Sequence, residues 1–205
     1  MDQGRHLAKR TDRNYATNLL NAKSCFQQAR SLLSPESPSG RANLASLDYQ
    51  LLDVEFNMAF HRDMTLHEKL SHLQAAEQHA WDAAYNARQS TEKEEKGGGG
   101  GGGPLLAQVQ LYNAIIKGRR AEIHARMQVP EDAVRRQKED ASSEIVIALE
   151  AIRAGSVGRV EESERFADTW LKRLQTAPLS QHVELNGTLA VKYDGPDGPS
   201  GPELE

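Results

Sequence analysis

Tyr15, Leu19, Ala22, Phe26, Ala29 and Leu33 follow one another at intervals of four, three, four, three and four residues. Those intervals match one face of an α-helix, whereas a strand alternates every second residue. No other feature constrains the chain as strongly, because the pattern recurs. Leu44, Leu47, Leu51, Val54 and Met58 repeat it, and Leu52, Phe56 and Phe60 add a second apolar flank. A helix with two apolar flanks requires two neighbours, as in an array or a bundle. Leu66, Leu70, Leu73, Ala80, Ala83, Ala84 and Ala87 form a third inner face, with Trp81 and Tyr85 beside it. Alanines on that face permit close helix approach. Three further stripes follow: Leu105, Val109, Tyr112, Ile116 and Ile123; Val134, Ala141, Ile145, Ala148 and Ile152; and Val160, Phe166, Ala167, Trp170, Leu171 and Leu174.

Helix boundaries come from local chemistry. Thr11 or Asp12 can cap the first helix, and "SPESPSG" ends it, because Pro35 and Pro38 cannot continue a helix. Thr65 with Glu68 reads as a capping box, in which each residue's side chain bonds the other's backbone N–H. Pro104 suits a first helical position, where its missing N–H would be unpaired anyway. The expectation is an all-α chain of six antiparallel helices, at about 12–33, 41–62, 65–90, 104–128, 130–154 and 159–175. They form one helical domain over 11–175, preceded by a flexible segment 1–10. Seven glycines make 91–103 a flexible linker. No Lys-Ser or Lys-Thr follows them, so they are not a phosphate loop. Residues 176–205 read as a mostly disordered tail, since the short hairpin signal around Asn186-Gly187 is marginal alone.

Composition narrows the function classes. With 5% aromatic residues, alanine and leucine must supply most of the core, which suits packed helices. A net charge of −4 argues against a nucleic-acid partner. Cys25 is the one cysteine and reads as a small apolar side chain rather than a redox or metal group. The first residues lack a secretory apolar region, and no apolar run approaches the roughly 18 residues of a membrane helix. A cytoplasmic or nuclear location without membrane contact follows as an expectation, as does the absence of any cofactor or metal.

The order Ala22, Phe26, Ala29 and then Pro35 resembles the second helix of a tetratricopeptide (TPR) repeat, with the proline one residue late. Ala76, Ala80 and Ala83 repeat the small-residue spacing. "AIRAGSVGRVEESERFADTWLKRL" is similar to a TPR turn and its second helix, with Ser163 and Ala167 at the small positions. The Trp, Leu, Gly and Tyr pattern of a first TPR helix is not cleanly present. The resemblance implies stacked helical hairpins and a groove that receives a peptide or helix. The alternative architecture is a helical bundle with the same alanine seams.

Two constellations invite chemistry. His61, His67, His72 and His79 crowd one region, but His67 and His72 are five apart and cannot form the two-histidine metal motif of zinc proteases. Glu68, His72 and His79 share a face, read here as a polar outer stripe. Arg119 and His124 resemble the Arg-x4-6-His motif of HEPN-domain ribonucleases, which implies a catalytic histidine and a phosphate-holding arginine. Arg120 departs from that family's preferred following residue. Lys117, Arg120, Arg126, Arg135 and Arg136 could form one basic patch if the fourth and fifth helices are antiparallel neighbours. The functional expectation is a non-enzymatic protein–protein interaction module, a scaffold or adaptor with a protein or peptide partner, acidic if the patch forms. A HEPN-type ribonuclease and a subunit of a homo-oligomer are the alternatives.

Overall fold

A computed structural model describes residues 15–61, 63–92, 103–154 and 160–176. It contains α1 (Tyr15–Ser31), α2 (Pro38–Met58), α3 (Leu66–Glu92), α4 (Gly103–Arg126), α5 (Glu131–Ala154) and α6 (Val160–Thr176). No strand occurs among the described residues. The all-α expectation of six helices holds. The N-terminal segment, most of the glycine linker and the tail lie outside the described residues.

The ends of the helices follow from caps. Ser37 accepts a hydrogen bond from Gly40 N at 2.9 Å, and Pro38 occupies the first turn of α2. Pro38 therefore starts this helix, three residues before the expected Arg41, because the first turn needs no proline N–H. A Cβ on Gly40 would lie 2.0 Å from the Ser34 carbonyl oxygen, so only glycine fits this turn. The Thr65–Glu68 capping box forms in both directions: Glu68 N donates to Thr65 Oγ1 at 3.2 Å, and Thr65 N donates to Glu68 Oε2 at 2.7 Å.

Each helix packs chiefly on the next in sequence, with the α2–α3 interface the most extensive. The even helices also meet one another, α2 with α4 and α4 with α6. Their inward side chains form an aromatic spine. Tyr112 of α4 stacks edge-on against Tyr49 and Phe56 of α2, at centroid distances of 5.6 and 5.5 Å. Phe166 of α6 lies 5.6 Å from Tyr112, and Trp170 lies 6.2 Å from Phe56. Such pairs contribute about 0.5–1.5 kcal/mol each beyond the area they bury. Alanines 76, 80, 83 and 87 of α3 are buried in the seam it makes with this core. One continuous core runs from α2 to α6, so helices on both sides of the glycine segment share it.

The two flanks of α2 divide as its sequence requires. Leu52, Phe56 and Ala59 join the main core. Leu47, Leu51, Val54 and Met58 face α1, where Leu19, Ala22 and Phe26 complete a separate small cluster. α1 and α3 thus both lie on α2 without a substantial interface between them. That arrangement leaves a groove with α2 as its floor.

Candidate functional site

Charged residues lie directly after stripe positions on both helices beside the groove: Lys23 after Ala22, Arg30 after Ala29, Asp48 after Leu47, Glu55 after Val54. One position past an apolar stripe is the edge of the buried face, so these side chains meet across the helix boundaries. In the first layer, Glu55 Oε1 is 2.6 Å from Lys23 Nζ of α1. His72 Nδ1 of α3 donates to Glu55 Oε2 at 2.6 Å. In the second, Arg30 Nε donates to Asp48 Oδ1 at 2.6 Å, and Asn86 Nδ2 donates to Asp48 Oδ2 at 3.1 Å. Arg30 also reaches Asp82 Oδ2 at 3.3 Å, and His79 Nδ1 lies 3.9 Å from Asp48 Oδ1. Each layer holds a carboxylate from α2, a cation from α1 and an imidazole from α3.

The layers are seven residues apart on every helix: 23 and 30, 48 and 55, 72 and 79. Two turns separate them, which keeps all six side chains on facing edges. Burial raises the Asp48 carboxyl above its usual range despite the Arg30 hydrogen bond and charge. Burial likewise lowers His79, more than Asp48 and Glu55 raise it, so its ring is neutral at neutral pH. His72 and His79 therefore do not form an outer polar stripe. They turn inward because α2 presents buried carboxylates that need donors.

A cavity of about 200 Å³ opens beside the second layer, lined by Gln27, Arg30 and Ser31 of α1, Leu51 of α2 and His79 of α3. The Nδ1 of His79 is buried and has no hydrogen-bond partner, with Asp48 Oδ1 3.9 Å away. Asp48, His79 and Asp82 bring three ligand-type atoms within 4.8 Å of one another. The Arg30 guanidinium already bridges the two carboxylates and supplies the positive charge a metal would bring. On the outer face of α3, Trp81 and Tyr85 are 70% and 53% exposed, not packed beside its inner face as the sequence suggested. Alanines fill the seam so closely that no space remains for large rings.

The residues singled out from sequence occupy other places. Lys117 Nζ is 2.6 Å from Glu144, and Arg120 Nη1 is 2.7 Å from Glu77. Arg135 pairs with Asp132 within its own helix. Arg126 and Arg136 are exposed. Arg119 is buried against Glu122 and stacks on the Phe60 ring, while His124 Nδ1 donates to Gln137 Oε1 at 2.9 Å. The Arg and His of the ribonuclease-like motif thus engage different partners. Cys25 is half-buried and forms no disulfide among the described residues. No helix among the described residues is long and apolar enough to cross a membrane. Comparison with protein-family models, curated proteins and solved structures finds no match to this chain.

Proposed function

We propose that this chain is a non-catalytic binding module that receives a peptide or helix of a partner protein in the groove between α1 and α3. The observation that carries this reading is the cavity over Leu51, walled by two helices that share no substantial interface and meet through side chains such as Arg30 and Asp82. Its volume of about 200 Å³ lies below the ~300–1,000 Å³ of small-molecule sites but suits one inserted side chain. Leu51 lies beneath its floor, and the accessible side chains of Gln27, Arg30 and Ser31 supply directional contacts. Trp81 and Tyr85 add exposed apolar area on α3, and aromatic residues of this kind commonly anchor interfaces. The TPR-like spacing in α1 supports the same mode, a segment bound along a groove between helices.

The test is selection of peptides from a random-sequence display library on the folded full-length chain. The expected outcome is a family of peptides sharing one hydroxyl- or amide-bearing residue. Ser31→Trp, which places an indole at the cavity mouth, abolishes their binding, and Glu139→Trp on the exposed side of α5 leaves it intact. Failure to enrich any binder, or binders indifferent to Ser31→Trp, contradicts the reading.

A further inference from the structure

Nδ1 of His79 is buried where α1, α2 and α3 meet, and no hydrogen bond reaches it among the described residues. The charged groups that face the ring come from all three helices: Arg30 of α1, Asp48 and Glu55 of α2, and Asp82 of α3 itself.

The nearest carboxylates are already engaged. Asp48 Oδ1 lies 3.9 Å from Nδ1, beyond hydrogen-bond reach, and accepts from Arg30 Nε at 2.6 Å. Asp48 Oδ2 accepts from Asn86 Nδ2 at 3.1 Å. Asp82 Oδ2 accepts from Arg30 Nη2 at 3.3 Å, and Asp82 Oδ1 from Gln78 Nε2 at 3.2 Å. A neutral imidazole tolerates this place, because one of its nitrogens needs no acceptor. An imidazolium donates from both, which would leave a buried N–H without an acceptor beside the Arg30 guanidinium. Burial outweighs the attraction of the three carboxylates, so the ring takes a proton less readily here than in water.

The yielding side of this junction is α1. Ala76, Ala80 and Ala83 hold α3 in the main core, whereas α1 has only its own small cluster on α2. α1 and α3 share no substantial interface, and the cavity of about 200 Å³ separates Gln27, Arg30 and Ser31 from the His79 ring. A protonated ring therefore reaches water by parting α1 from α3, not by displacing α3.

We propose that His79 is an acid-sensitive latch, whose protonation releases α1 from α2 and α3 and opens the groove between them. In the open state the ring titrates near ~6.5, and in the closed state below that. The closed state keeps its full advantage above about pH 6.5 and loses it as pH falls through the lower, closed-state value. Protonation of Asp48 and Asp53 favours the folded chain instead, so the latch is read as the difference between wild type and His79 variants. It concerns α1 itself and is tested without a ligand, so it stands or falls apart from peptide binding.

Native-state hydrogen exchange of the full-length chain at about pH 7.5 and about pH 5.5, corrected for intrinsic exchange rates, measures the opening of α1. The opening equilibrium of the α1 amides should shift several-fold toward the open state at the lower pH. One proton whose open-state value is near ~6.5 limits that shift to about tenfold. His79→Gln should remove it, and so should His79→Phe, a second variant in case the first perturbs folding. His72→Gln, which can still donate to Glu55, should retain it. The His79 ring should titrate below about 6.5 by nuclear magnetic resonance. An α1 indifferent to pH, a shift that survives both His79 variants, or a ring that titrates above about 6.5 would overturn the latch.

Discussion

Asp53 shows how little room a single half-buried carboxyl leaves. It accepts hydrogen bonds from Tyr112 Oη at 2.9 Å and Asn57 Nδ2 at 3.1 Å, and no cation pairs with it among the described residues. Burial pushes its pKa up to about 6, against the two hydrogen bonds that lower it. Tyr15, enclosed by the same packing and repelled by Asp53, is pushed up to about 12. The folded state thus holds the Asp53 proton more tightly than the unfolded chain, whose carboxyl titrates near ~3.9. Its contribution to stability is fully present below about pH 4, falls as pH rises, and is lost by about pH 6. Asp53→Asn keeps an acceptor for Tyr112 and removes the charge. It should stabilise the fold by about 2 kcal/mol at pH 7 and by nothing measurable at pH 4, as read from urea unfolding. Little of this was legible in the sequence, where Asp53 stands between Leu52 and Val54 with no mark of burial. The Asp48 and Glu55 layers left a clearer trace, since their seven-residue spacing matches Lys23 with Arg30 and His72 with His79.

At the scale of the element, apolar periodicity located all six helices, because each stripe is long enough for the 3.6-residue period to dominate. The stripe assigned to α5 is buried at all five positions. The inner edge of α3 was misjudged for a physical reason. Periodicity marks an apolar face but not how wide a gap its neighbour leaves, and an alanine seam excludes Trp81 and Tyr85. Gly118 makes a related point on α4. A Cβ there would lie 3.1 Å from both terminal carbons of Leu174 and 3.6 Å from the Ala141 Cβ. Its small size lets α5 and α6 close on α4 at once. Gly118→Val should wedge α6 away and destabilise the chain by about 2 kcal/mol despite the loss of a helical glycine. Circular dichroism during urea unfolding measures the change, and near-ultraviolet dichroism of Trp170 should weaken with it.

Across the whole molecule, α2, α4 and α6 converge on the aromatic spine, whereas α1 is held by its own seven-residue cluster and the two charged layers. Local stability should follow that division. Native-state hydrogen exchange should find the amides of α1 opening at lower free energy than those of α4, since α1 packs chiefly on one helix. Uniform exchange across all six helices would contradict the division. A loosely anchored α1 over a rigid floor is also what a groove needs in order to admit a partner segment. The most direct test of that central idea places a photo-crosslinking residue at Gln27, on the wall of the cavity, and irradiates the full chain with a peptide selected as a binder. The account predicts crosslinks from position 27 and none from the same group placed at Glu139 on α5. Crosslinks from position 139 with none from position 27 would contradict it.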